Sequence, residues 1–225
     1  MVGFDMSSAK VSQRESPRAR FRRLSSELAE IGRGFYARGW AFGTSGNLSA
    51  VIEADPLRLA ITASGLDKSL LAPSEILAID AEEKVTFGRG RPSSEAAIHV
   101  AIVRERLAGA VFHTHSIWST VLSEKHAPEG GVEIQGYEML KGLETVRSHE
   151  HSEWLPILDN SQDMKRLSRD VTQLLKRQPR IHGFLLRGHG LYTWGASLRE
   201  AKRHIEIFEF LMEVLARLKT SSVAR

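Results

Sequence analysis

Apolar positions along this chain repeat with two periods, and the period predicts each element. Leu24, Leu28, Ile31 and Phe35 recur at helical spacing. Pro17 suits the first turn of that helix and Gly39 its C-terminal cap. Asn47–Ile52 and Leu57–Thr62 read as the strands of a hairpin, with turns at Gly43–Gly46 and Ser64-Gly65. Pro73–Glu75 opens a short helical turn before an apolar strand, Ile76–Ile79. Ser93-Ser-Glu95 precedes a helix from about Ala96 to Leu107; a strand follows at Val111-Phe112 and a helix starts near Ile117. Residues 130–142 fit neither period, and residues 143–153 read as an exposed loop. Leu155–Leu158 is a short strand, and Ser161 is placed to cap a helix reaching about Arg177. Gly183–Arg187 and Leu191–Trp194 form a second strand pair. Ser197-x-x-Glu200 is a capping-box pattern. It opens a last helix, to about Lys219, whose Ile205, Phe208, Leu211, Met212 and Leu215 make one apolar stripe.

No repeat or low-complexity linker divides the pattern, which predicts one α/β domain over residues 17–225 behind a flexible polar tail at 1–16. A length of 225 residues with 42% hydrophobic and 26% charged positions supports a single sizeable core. The absence of cysteine excludes thiolate catalysis, disulfides and cysteine-held zinc, so a metal must use His, Asp, Glu or water. The net charge of +4 is concentrated in Arg14, Arg18, Arg20, Arg22 and Arg23. No aromatic platform accompanies these arginines, which read as a solvated tail and helix face and not as a nucleic-acid surface. No apolar run approaches the roughly 20 residues of a membrane span and no signal-peptide core is visible. A cytoplasmic setting without membrane contact is therefore expected.

The densest chemistry lies at His113-Thr-His115. In an extended chain side chains alternate, so His113 and His115 share a face, directly after an apolar strand that can hold them rigidly. His189 stands between Gly188 and Gly190, where backbone and ligand can approach closely. Three imidazoles with an open position describe a catalytic metal site. His149-Glu-His151 has the same spacing but lies in a polar stretch with no rigid support, and it reads as surface. His99 and His204 read as structural residues on helices, either of which could also line a pocket, His126 as surface and His182 as a strand start.

Thr44–Asn47, Thr62–Gly65 and Pro92–Ser94 are three hydroxyl- and glycine-rich turns at strand edges or a helix start. Such turns serve either as ordinary caps or as a nest of N–H and O–H donors for a phosphate, with Lys68 near enough to add charge. None is a nucleotide P-loop and no dinucleotide fingerprint is present. Glu95 and Glu138 are acid/base candidates, although by residue type alone both read as surface glutamates.

Taken in order, Gly43–Ser49, Ile61–Lys68, Pro92–Glu95, His113–His115 and Gly188–Gly190 resemble the class II aldolase/adducin family from about Phe21 to Lys219. The resemblance implies a three-layer α/β/α fold with a central, mostly antiparallel sheet. It implies one zinc ion on His113, His115 and His189. It also implies phosphate contacts from Gly46, Asn47, Ser64, Gly65, Ser93 and Ser94. In the family's aldolases the glutamate matching Glu95 is the acid/base. Tyr137–Gly142 and Arg187–Gly195 are instead similar to the branch that dehydrates 5-methylthioribulose 1-phosphate in methionine salvage, which implies Glu138 in that role. A C-terminal tyrosine of the aldolases has no equivalent in Thr220–Arg225. The resemblance further implies a homotetramer acting on a small sugar phosphate, with sites near subunit contacts. A sugar-phosphate aldolase or 4-epimerase and a non-enzymatic adducin-like module are the competing readings; the intact histidine set speaks against the last.

Overall fold

The computed structural model describes residues 15–221. The helices are α1 (Pro17–Ala37), α2 (Ala96–Arg106), α3 (Ile117–Lys125), α4 (Met164–Arg177) and α5 (Leu198–Ser221). The strands are β1 (Asn47–Ala54), β2 (Leu57–Thr62), β3 (Ile76–Asp80), β4 (Val85–Phe87), β5 (Ala110–Thr114), β6 (Gly131–Gln135), β7 (Ser152–Leu158), β8 (Gly183–Leu186) and β9 (Gly190–Gly195). They form one sheet in the order β4-β3-β2-β1-β5-β9-β8-β7-β6, in which only β7 and β8 pair in parallel. Strand alternation divides the core in two. Phe112 and Ile52 face Leu28 and Phe35 of α1 and Phe208 and Leu211 of α5. Val111 and Ile61 face Ile98 and Ile102 of α2 and Val171 and Leu175 of α4. The three-layer α/β/α architecture with a mostly antiparallel sheet matches the expected fold class.

The helix boundaries follow local chemistry. The Ser16 hydroxyl accepts from Ala19 N–H, so Ser16 is the cap of α1 and lies inside the ordered fold. The remainder of the expected tail, residues 1–14 with Arg14, lies outside the described residues, as do residues 222–225. The cap of α4 is Asp163, not Ser161: its carboxylate accepts from Arg166 N–H, while the Ser161 hydroxyl accepts from Asp163 N–H one turn earlier. The stretch 130–142 resolves into β6 and a 3-10 turn at Glu138–Gly142. Short β4 escapes the periodicity argument because its three residues sit at the sheet edge and mostly face solvent.

Residues 143–153 are mostly exposed, as expected, but the segment is anchored at its end. Glu153 is buried and accepts from His151 Nε2 at 2.8 Å and from His182 Nδ1 at 3.0 Å. His182 Nε2 donates to the Glu144 carbonyl at 2.9 Å, so both of its ring nitrogens face acceptors, and the Glu153 pairing raises its pKa against burial. Glu144 N–H in turn donates to His204 Nε2 at 3.3 Å. Histidines thus fasten this segment to the end of the sheet away from His189.

On the opposite face of β5 from His113, the Thr114 hydroxyl donates to Glu209 Oε1 of α5 at 2.7 Å. Burial pushes the Glu209 carboxyl up to about 7, so the folded state favours its neutral form. The linked stability is therefore fully present below the ordinary value of 4.5 and is lost as pH rises through about 7. Replacing Glu209 by the isosteric, uncharged Gln is expected to remove this loss, which is on the order of 3 kcal/mol at full ionisation. Urea unfolding between pH 5 and 8 checks it: the wild type should weaken with pH relative to Glu209→Gln, and parallel curves would contradict the assignment.

Candidate metal centre and active site

Sheet register builds the site. Asn47 of β1 stands opposite His113 of β5, and His113 stands opposite Tyr192 of β9. These three side chains form a row on the sheet face that α2 covers. Tyr192 stacks flat on the His113 ring with centroids 3.9 Å apart, and Phe184 stacks on its other side at 5.1 Å. His113 Nδ1–H donates to the Leu191 carbonyl at 2.9 Å, which leaves the Nε2 lone pair directed outward. His115 lies just past the strand, its backbone N–H held by the Trp40 carbonyl at 2.7 Å. His189 comes from the turn between β8 and β9. Gly190 permits this packing, since a Cβ there would lie 2.1 Å from the Thr114 carbonyl oxygen and 3.0 Å from His113 Cε1.

The three imidazoles converge as the sequence predicts. The ligand nitrogens of His113, His115 and His189 all lie within 4.8 Å of one another. His113 Nε2 is 3.3 Å from His189 Nε2 and 2.7 Å from His115 Nε2. Tetrahedral zinc with Zn–N bonds of about 2.0–2.1 Å sets its nitrogens roughly 3.3 Å apart. Either a shared N–H proton or a cation can lie between nitrogens this close, and the convergence of three ring nitrogens on one point fits a divalent metal. Burial, followed by the neighbouring imidazoles, pushes His115 down to about 2, and burial also lowers His113 and His189. All three are thereby kept in the neutral form that a metal requires.

Glu95 borders this cluster, with Oε2 3.6 Å from His113 Nε2 and Oε1 3.5 Å from His189 Nε2. It caps α2 without a side-chain bond to the helix. Its carboxylate instead accepts from Asn47 Nδ2 at 2.6 Å. Glu138 lies elsewhere in the chain: its exposed carboxylate pairs with Lys141 at 2.6 Å and lies 3.9 Å from His149 Nδ1. Lys141 holds it below the usual carboxylate value. His149 and His151 take no part in the cluster, in keeping with their reading as surface and loop residues.

The hydroxyl turns also converge. Gly46, Asn47, Ser64, Gly65, Ser93 and Ser94 line one cavity of about 210 Å³ together with Lys68, Glu95 and His115. Gly46 adopts φ +72°, and a side chain there would strike the His113 carbonyl at 2.8 Å. Asn47 is turned toward Glu95 and the Ser93 hydroxyl, an orientation that its expected phosphate role did not suggest. Lys68 is buried beneath the cavity and donates to the Leu66 carbonyl at 3.0 Å.

Residue-type reasoning missed Tyr192 and Ser49. The Tyr192 hydroxyl is buried near Glu95, and burial, followed by that carboxylate, raises it far above an ordinary phenol. Its signal was the cross-strand position opposite His113. His99, a helix histidine with the option of lining a pocket, stands one helical turn after Glu95 and reaches Asn47.

Comparison with known proteins agrees with this geometry. Residues 26–216 match the model of the Class II Aldolase and Adducin N-terminal domain. The chain belongs to the class II aldolase and adducin family. Among curated class II relatives, the methylthioribulose-1-phosphate dehydratase of Sorangium cellulosum (strain So ce56) is 41% identical over 205 residues, covering 90% of this chain and 96% of that protein. The enzyme of the same name from Marinobacter nauticus (strain ATCC 700491 / DSM 11845 / VT8) is 38% identical, covering 92% and 98%. The crystal structure of YgbL from Escherichia coli superposes with a TM-score of 0.73 at 26% identity, covering 88% of this chain and 90% of that one. Among the described residues no helix is long and apolar enough to cross a membrane.

The packing at Gly190 gives a direct test. Gly190→Ala must push β9 away from Thr114 and tilt His113, so its zinc dissociation constant is expected to rise by about tenfold or more. Isothermal titration of metal-stripped protein measures it; an unchanged constant would mean that this close approach does not set the ligand geometry.

Proposed function

We propose that this chain dehydrates 5-methylthioribulose 1-phosphate to 2,3-diketo-5-methylthiopentyl 1-phosphate, a hydro-lyase step of methionine salvage. The reading is supported above all by the three-histidine cluster with a carboxylate at its edge and a hydroxyl-lined cavity alongside, in a chain close to dehydratases over most of its length.

The substrate carries a ketone at C2 and hydroxyls at C3 and C4. Dehydration removes the C3 proton, forms a C3–C4 double bond as the C4–O bond breaks, and returns a proton to the departing hydroxyl as water. The resulting enol ketonises to the 2,3-diketone. A divalent ion held by His113, His115 and His189, proposed to be zinc, would supply the Lewis acidity that makes a proton beside a ketone removable. The Ser64, Ser93 and Ser94 turns and buried Lys68 would receive the phosphate, so that binding energy remote from the reacting carbons orients them. Within one chain, Glu95 at the edge of the cluster would carry the proton. Glu138, the residue that resemblance assigns to this task, is exposed in one chain and takes part from a neighbouring copy of a cytoplasmic homotetramer.

Incubation of the zinc-loaded full chain with the sugar phosphate should yield a product lighter by one water in the mass spectrum. C–C bond formation from dihydroxyacetone phosphate and an aldehyde would favour the aldolase reading instead. Protein that binds no metal at all would favour an interaction module. Glu95→Gln and Glu138→Gln are each expected to lose about a hundredfold in kcat with zinc retained. A fully active Glu138→Gln leaves the proton to Glu95, and a fully active Glu95→Gln removes Glu95 from the chemistry.

A further inference from the structure

We infer that His99 is a positioning residue: through Asn47 it sets the orientation of the Glu95 carboxylate at the metal cluster. The inference rests on the reading above in which Glu95 acts beside the metal.

Two periodicities place the participants. Asn47 and Ser49 are two residues apart on β1 and share a face; Glu95 and His99 are four apart at the start of α2 and share a face. Packing of α2 on the sheet joins the pairs into one chain of contacts. Ser49 Oγ is 2.7 Å from His99 Nδ1. His99 Nε2 closely approaches Asn47 Oδ1. Asn47 Nδ2 lies 2.6 Å from Glu95 Oε2 and 3.0 Å from Ser93 Oγ. All four members are buried, and Ser49 and His99 are completely so.

The direction of every proton follows from the last contact. A carboxylate only accepts, so the Asn47 amide must present its NH₂ to Glu95 and its oxygen to His99. That oxygen only accepts, so His99 must carry its proton on Nε2. Burial pushes His99 down to about 4, which keeps it neutral and leaves Nδ1 as an acceptor for the Ser49 hydroxyl. The donor order is therefore Ser49 to His99 to Asn47 to Glu95. The other tautomer would set a nitrogen lone pair against the amide oxygen. Relief by flipping the amide would turn that oxygen onto the carboxylate and drive Glu95 from its place. Water cannot repair the mismatch in a site this closed, so a single proton position on His99 governs a carboxylate one helical turn away.

Nitrogen-15 NMR of histidine-labelled full-length protein reads the tautomer without any substrate. A neutral His99 ring protonated on Nε2 is expected, and an Nδ1-protonated ring overturns the inference. In turnover, His99→Leu should lower kcat by about tenfold or more with KM and zinc content near wild type. His99→Gln, whose amide can replace the Nε2 donor, should stay within about threefold of wild type. Wild-type kcat in His99→Leu, or an equal loss in both variants, overturns the inference. Should His99→Leu fail to fold, Ser49→Ala removes the tautomer lock with little change in volume and should lower kcat severalfold while shifting the ring toward its other tautomer; a Ser49→Ala variant with wild-type kcat and an unshifted tautomer overturns the inference. Wild-type protein inactive on the sugar phosphate would sink the proposed reaction, and the tautomer measurement would still decide the network.

Discussion

β1, β5 and β9 meet in a register that sets Asn47, His113 and Tyr192 side by side on one sheet face. Strand side chains alternate, so a slip of one residue would turn His113 toward α5 and bring Thr114 to the metal side. The apolar alternation around it forbids the slip, because Val111 and Phe112 belong to different cores. The same alternation that makes the protein fold thus aims the metal-binding ring. The glycines at positions 46 and 190 allow the flanking turns to close on this row, where any larger residue would meet backbone.

Burial then determines the protonation states around the row. Removing a charge from water is costly unless a partner compensates it. His99, His113 and His115 are held neutral with few compensating charges, and neutral rings are what metal binding and the directed contact with Asn47 require. Glu209, under the same strand, is pushed toward its neutral form by the same effect. Glu153 shows the opposite outcome: with His151 and His182 against it, a buried carboxylate stays below its ordinary value. Equal burial gives opposite charge states because the partners differ.

The two ends of the central strands are built differently. At one end, three imidazole nitrogens converge on a space suited to a cation. At the other, imidazole N–H groups point at a carboxylate and at backbone carbonyls, and so tie the segment near Glu144 to the sheet. Histidines of the first kind are held by the protein yet keep a free lone pair. Those of the second kind have their ring nitrogens committed to internal partners, and their role is completed within the fold.

Much of this was determined by the sequence itself. Period-two and period-three-to-four patterns predicted most helices and strands, and His113 and His115 had to share a face wherever that strand lay. The paired glycines around His189 and the order of the hydroxyl turns pointed to the metal set and to the family, because these are local constraints of backbone and residue type. Only the tertiary structure decided which glutamate borders the cluster within its own chain. Glu95 and Glu138 look alike as residues, and the difference is that α2 packs beside β1 while the 3-10 turn of Glu138 projects outward. Packing alone also made His99 part of the site, since its partners Asn47 and Ser49 are about fifty positions away in the chain. Contacts of that kind depend on register and helix placement summed over the whole core, and no local pattern encodes them.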